Sequence, residues 1–256
     1  MLFLFCAAFN SCHPVIPVGD KNYRNLKDGY ERIDGMIFPC LTKSKMKLTI
    51  PSDFKKNSEK TIIYPVPDDG HLKISPISKI FHFGEEGIEL IHETYTMPSI
   101  IKDDLLGNEA YTYEVYIGYY PGGQIKYYKV ILFANFIYEL RVGAWYHFDE
   151  KGRVIKKIAH EDLFKTSLAK VLQIRNDFIK DEVLNKRVYI HFENVLRVIG
   201  EGGAVCSIIR YKDLSDHNFK SLIIDDGNNF INRMMEADIP RQINSYSPYK
   251  GYFGYY

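Results

Sequence analysis

No segment of the chain stays apolar for the roughly 20 residues that a membrane-crossing helix needs. Beyond the first dozen residues the most apolar stretch, 130–134, is short and soon followed by charge. Neither sign of charge dominates: 33 basic residues against 32 acidic ones leave a net charge of +1. Nucleic-acid binders draw their affinity from a basic surface, so a nucleic-acid partner is not expected. Cysteine is sparse. Cys6, Cys12, Cys40 and Cys206 form no Cys-x-x-Cys pair and no zinc-ligand spacing.

Catalytic templates are missing too. His92-Glu93 and His160-Glu161 begin like a zinc-protease motif, but neither has the second histidine four residues after the first. There is no Gly-x-Ser-x-Gly elbow and no Gly-Lys-Ser/Thr phosphate loop. Gly200-Glu201-Gly202-Gly203 lacks the third glycine of a dinucleotide fingerprint and reads as a hairpin turn. Asp225-Asp226-Gly227-Asn228-Asn229 resembles a calcium loop only faintly, and Asp-Gly and Asn are what a tight turn demands. Asp68-Asp69 and Asp103-Asp104 also sit in turns, where adjacent carboxylates diverge. Cys206 reads as a buried structural thiol before it reads as a nucleophile. No catalytic residue, metal ligand or cofactor is therefore expected.

What is present is a chain of 256 residues, 46% hydrophobic and 25% charged, long enough for one large domain or two small ones. Its 20 tyrosines and 16 phenylalanines against one tryptophan favour pleated, half-buried surfaces. Alternation at 46–50 and 71–74 reads as strand, with Asp68-Asp69-Gly70 and Gly84-Glu85-Glu86-Gly87 as turns and 103–108 as a polar loop. Residues 111–120 and 124–132 flank Pro121-Gly122-Gly123 as a hairpin. Between 160 and 180, Leu163, Phe164, Leu168, Val171, Leu172 and Arg175 recur at helical spacing, with Asp162 or His160 as the opening residue. Strands follow at 187–199, 204–211, 221–225 and 229–234. The expected fold is α+β and mainly β: antiparallel hairpins, with one main helix packed on a C-terminal antiparallel sheet. The expected divisions are 1–11, 12–29, 30–159, 160–244 and 245–256.

The first twelve residues, Met-Leu-Phe-Leu-Phe-Cys-Ala-Ala-Phe-Asn-Ser-Cys, have the length of a signal-peptide core and end on the small Ser11 before Cys12. This resembles the lipobox of bacterial lipoproteins, although no Lys or Arg precedes the apolar run. The resemblance implies cleavage before Cys12, diacylglycerol on its thiol, acylation of the new amine, and a place in the cell envelope facing the periplasm or the cell surface. The Pro-rich residues 12–20 would serve as a tether. Cys40 and Cys206 would remain, as buried thiols by default or as one disulfide.

Gly143-x-Trp145-x-x-Phe148-Asp149-x-x-Gly152 resembles MORN-like hairpin repeats, and Gly123-Gln124-Ile125-Lys126 returns in altered form as Gly152-Arg153-Val154-Ile155-Lys156. The resemblance covers 113–157. It implies β-hairpins stacked through Trp145, Phe148 and the turn 149–152, in about two units where an array needs at least ~3.

Three functions follow as expectations. The first is a non-catalytic, lipid-anchored binding or structural module that meets a protein or glycan partner through Tyr119 and Tyr120 and, in the tail, Tyr246, Tyr249 and Tyr252. The tail itself reads first as a disordered or back-packed terminus. The second, implied by the MORN-like stretch alone, is an immunity or antitoxin-type protein. The third is an enzyme with an unfamiliar site.

Overall fold

Runs of Tyr, Ile and Val, cut at short intervals by Gly, Pro and Asp, favour strands that turn back on their neighbours. The structure, a computed structural model, describes residues 29–33, 36–46, 48, 55–64, 76–98, 110–134, 137–181, 190–199, 205–213, 216–226 and 231–235. β1 (Tyr30–Ile33) and β2 (Met36–Pro39) pair as a two-stranded ribbon. β3 (Ser58–Ile63), β4 (Ser78–Phe83), β5 (Ile88–Pro98), β6 (Ala110–Tyr119), β7 (Ile125–Ala134), β8 (Ile137–Phe148) and β9 (Val154–Ala159) form one seven-stranded antiparallel sheet in chain order. Helix α1 (Leu168–Ile179) follows. β10 (Ile190–Ile199), β11 (Val205–Asp213), β12 (Phe219–Asp225) and β13 (Ile231–Met235) then make a four-stranded antiparallel sheet. The fold is thus mainly β, with antiparallel sheets and a single helix among the described residues.

The β6–β7 hairpin forms where the sequence places it. Tyr120 N donates to Gln124 O and Gly123 N to Tyr120 O, both at 2.8 Å. Gly123 has φ +74°, and a Cβ there would come within 2.6 Å of Leu48 O, so both the backbone and its neighbour require glycine. Of the strand expected over 46–50, only Met46 and Leu48 lie within the described residues. Met46 ends the short 3-10 turn Lys43–Lys45 and accepts from Ile125 N at 3.1 Å, while Leu48 N donates to Gly123 O at 3.0 Å. These two bonds straddle Gln124 in the manner of an antiparallel bridge and brace the base of the β6–β7 turn. The expected features at 68–74, 103–108 and 200–203, the tether 12–29 apart from Gly29, and the tail 245–256 lie outside the described residues.

Alternate residues of the large sheet build the core. Tyr111, Tyr113, Val115, Ile117 and Tyr119 of β6 are all buried, flanked by Ile91 and Tyr95 of β5 and by Tyr128, Val130 and Leu132 of β7. Phe38 of β2 packs edge-on against Tyr113 with ring centroids 5.9 Å apart. The same apolar cluster continues into Leu168, Val171 and Leu172 of α1 and into Val195, Ile209, Tyr211, Leu222 and Ile224 of the four-stranded sheet. Phe178 of α1 meets Tyr211 of β11 at 5.1 Å, which sets the helix on that sheet. Full burial of each large apolar side chain contributes about 1.5–3 kcal/mol.

The helix is shorter than its spacing predicts, and neither His160 nor Asp162 opens it. Glu161–Leu163 is a 3-10 turn, Phe164 is extended, and the helix starts after Ser167, whose Oγ accepts from Lys170 N at 3.2 Å. The reason lies in Asp226, at the end of β12. Its buried carboxylate accepts hydrogen bonds from both Lys165 N and Thr166 N. Those two donors are therefore committed to a carboxylate 61 and 60 residues away, and the first regular turn forms beyond them.

Candidate functional site on the outer sheet face

Strand alternation that sends Tyr113, Val115 and Ile117 into the core sends Glu114 and Tyr116 to the opposite face. Register carries this outer face across five strands. His92 of β5 lies opposite Tyr116, Tyr116 opposite Lys129 of β7, and Glu114 opposite Ile131. Arg141 of β8 lies opposite Ile131, His147 opposite Tyr127, and Lys156 of β9 opposite His147.

These side chains form a layer of rings interleaved with cations. His92 stacks on Tyr116 with centroids 4.5 Å apart and planes 9° from parallel. Lys129 Nζ stands 4.8 Å from the centroid of Tyr127 and 5.7 Å from that of Trp145, and the Arg141 guanidinium lies 5.8 Å from the Trp145 ring. Such contacts contribute about 0.5–2 kcal/mol each, most where water is excluded. Lys129 is only 5% exposed. Burial, helped by the nearby charge of Arg141, pushes its amine down to about 8. Glu114 is the acid of the layer. It accepts from Tyr116 OH and lies 3.3 Å from His92 Nε2. The imidazole beside it, and then Tyr116, hold its carboxyl below the ordinary range against the opposing effect of burial.

One end of the layer is covered. Trp145 packs with Ile131 and Ile158, and Leu163 of the 3-10 turn leans on that group. His160 meets the indole edge-on at 4.9 Å and is 1% exposed. Burial, with Arg141 and Arg197 nearby, pushes the imidazole down to about 3, so it stays neutral. Behind it, Arg197 of β10 donates to Glu161 Oε2 at 2.7 Å and stacks 3.9 Å from the centroid of Phe164. Towards the open end, Tyr116, Tyr127, Phe133 and His147 are half-buried and Arg141 is exposed.

The residues expected to meet a partner distribute unevenly. Tyr119 is 5% exposed and its hydroxyl donates to Lys45 O at 3.1 Å, so it belongs to the core. Tyr120 is half-buried, donates to Phe148 O at 2.9 Å and lies under Lys126 Nζ at 5.7 Å. Cys12, Tyr246, Tyr249 and Tyr252 lie outside the described residues. Sequence reading missed Tyr116, Tyr127, Lys129 and Arg141. The usable signal was parity: once 113, 115 and 117 are assigned inward, their even-numbered neighbours must face out.

His92 and Glu93, adjacent in sequence, point to opposite faces of β5. Glu93 faces the core, 2.6 Å from Lys45 Nζ and 2.8 Å from Lys79 Nζ, and accepts from Tyr95 OH at 2.8 Å. The two residues therefore share no ligand site, and among the described residues no group of three His, Cys, Asp or Glu side chains is placed to hold a metal ion. No described helix is long and apolar enough to cross a membrane. Cys40 is buried just after β2, and Cys206 lies in β11. The chain matches no family model, no curated protein and no solved structure.

Proposed function

We propose that the chain is a non-catalytic binding module of the bacterial cell envelope, held to a membrane by lipid on Cys12, which offers the outer face of its large sheet to a protein or glycan partner. The observation that carries the binding role is the layer that sets the half-buried rings Tyr116 and Tyr127 beside the buried Lys129 and the exposed Arg141 on central strands of the sheet. Rings supply flat contact area at low entropic cost, and guanidinium and ammonium groups beside them add an attraction for anionic groups. The lipid anchor is supported by the apolar run ending at Ser11-Cys12. Two or more acyl chains would hold the module stably, at about 0.8 kcal/mol per buried methylene.

Mass spectrometry of native membranes, comparing wild type with Cys12→Ser, tests the anchor. The expected result is an acylated N-terminal cysteine in the wild type and release of the variant. An intact, unacylated N-terminus in the soluble fraction overturns it. Tyr127→Ala with Arg141→Ser tests the face, with loss of binding to isolated envelope material expected and unchanged binding overturning the assignment.

A further inference from the structure

Among the described residues the large apolar side chains that stand exposed are Ile63 (79%), Tyr64 (36%), Val154 (44%) and Ile155 (53%). They fall at the two edges of the seven-stranded sheet: Ile63 ends β3 and Tyr64 follows it, while Val154 and Ile155 open β9. Neither edge has a further strand beside it among the described residues. A bare edge with apolar side chains in solvent is a template for another strand.

The two edges match in bonding and in face. Tyr64 N donates to Ile77 O at 2.9 Å, so by alternation Glu59, Thr61 and Ile63 direct their N–H and C=O groups to the open side. His160 N donates to Gly143 O at 2.9 Å, so Lys157 and Ala159 likewise direct theirs away from β8. Lys60 and Ile62 lie opposite Phe81 and Lys79, which lie opposite Ile91 and Glu93 of the core face, so Thr61 and Ile63 belong to the outer face. On β9 the parity is reversed. Lys157 lies over the core ring of Tyr146, and Ile158 packs with Trp145 on the outer face.

The end of β3 and the start of β9 can meet only if the two strands run antiparallel. Bringing β3 of a second copy to β9 in that direction turns the second sheet over, so outer-face residues must fall opposite core-face residues. Pairing Thr61 with Lys157 meets this condition and sets outward-directed backbone groups against each other. It places Ile63 opposite Ile155, Tyr64 beside Val154, and no two like charges directly opposite. A slip of one residue breaks both face and bonding. A slip of two either opposes Lys60 with Lys156 or separates Ile63 from Ile155. Lys157 keeps its place over Tyr146, and Glu59 its 2.8 Å contact with His82, since the fit draws on shape and backbone and not on their charges.

We infer that the chain assembles head to tail through its sheet edges, β3 of one copy adding antiparallel to β9 of the next. Each copy joined in this way leaves its other edge open, so association runs past a dimer into a ring or a filament. The contact draws on neither the outer-face layer nor Cys12, and its failure would leave the binding role untouched.

Sedimentation velocity of the purified full chain over a wide dilution range reads the size of the assembly, and backbone amide exchange reads the place. The expected result is species larger than a dimer that dissociate on dilution, with exchange slowed on association at Glu59 and Thr61 and at Lys157 and Ala159. Ile63→Lys and Ile155→Lys should each weaken association about tenfold or more. Mixed in equal amounts, the two variants should form a heterodimer and nothing larger, because one keeps an intact β9 and the other an intact β3. A chain that stays monomeric, an assembly that stops at a dimer, or association that leaves exchange at either edge unchanged would each overturn the inference. So would a mixture that stays monomeric although both variants keep the wild-type unfolding curve.

Discussion

The indole nitrogen of Trp145 donates a 2.9 Å hydrogen bond to the backbone carbonyl of Val130, a strand partner's main chain captured by a side chain. A break in the ladder makes this possible. Tyr128 pairs with Tyr146 and Val130 with Val142, so three residues of β8 stand where β7 has one. Gly143 enters that bulge at φ +63°, where a side chain is strained whatever the space around it. The bulge turns Trp145 onto the outer face, and the indole takes up a carbonyl in the interrupted ladder. Trp145→Phe keeps the ring but leaves that buried carbonyl without the indole donor. The expected loss is roughly 1–3 kcal/mol in urea unfolding. A loss below about 0.5 kcal/mol would mean that the bond contributes little, and that the ring contacts with Lys129 and Arg141 alone hold the indole.

Much of the framework was legible in the sequence because β structure made of chain neighbours is written locally. Pro121-Gly122-Gly123 and Gly84 to Gly87 are turn chemistry; both join paired antiparallel strands, and the β6–β7 pair lies where it is expected. The outer face was harder to read. In 111–120 the odd positions are all large and apolar, but Thr112, Tyr116 and Tyr120 put β-formers on the even positions as well, which blurs the alternation. The helix start was misplaced because its deciding group, Asp226, is distant in sequence and itself looks like a turn residue. Tyr119 reads as a surface ring from its place before a turn, yet its hydroxyl is bound to the carbonyl of Lys45, 74 residues earlier. Contacts of that range leave no local pattern.

Glu31 gives the fold a dependence on pH near neutrality. Burial pushes its carboxyl from 4.5 to about 7. The charge of Lys157 opposes this, and Glu161 and Asp162 add to it. The folded state therefore holds a proton that the unfolded chain has already released. Below pH ~4.5 both states are protonated and Glu31 has no net effect. As pH rises from there to about 7 the group progressively destabilises the fold, and above about 7 the loss is complete. Glu31→Gln removes this penalty. The variant should match wild type near pH 4.5 and exceed it by roughly 1–3 kcal/mol at pH 8, a range that allows for partial solvation of the half-buried side chain. Parallel urea unfolding curves at the two pH values check this, and a gain independent of pH would reject the assignment.

Glu93 has the opposite sign. Burial alone would raise its carboxyl, but the charges of Lys45 and then Lys79 outweigh that and hold it below its ordinary 4.5. Its contribution is therefore present above about pH 4.5 and is lost as pH falls through the lowered folded value. The carboxylate is 2% exposed, while Lys45 and Lys79 remain 16% and 24% exposed. Tyr95, whose hydroxyl burial and then Glu93 hold protonated, donates to the same oxygen that Lys45 reaches. The cluster ties the 3-10 turn Lys43–Lys45 to the centre of the sheet, which positions the segment that braces the β6–β7 turn. Removing one partner from a buried pair costs roughly 3–5 kcal/mol, and the lysines' partial access to water places Glu93→Gln at the lower end, about 3 kcal/mol. Lys45→Met in the same chain removes one of the two cations that Glu93→Gln deprives of their carboxylate, so the double variant should lose less than the sum of the two single losses. A double-mutant cycle in urea at pH 7 measures that coupling. Additive losses within about 0.3 kcal/mol would show that Lys45 and Glu93 act independently, and that their 2.6 Å contact does not hold the turn to the sheet.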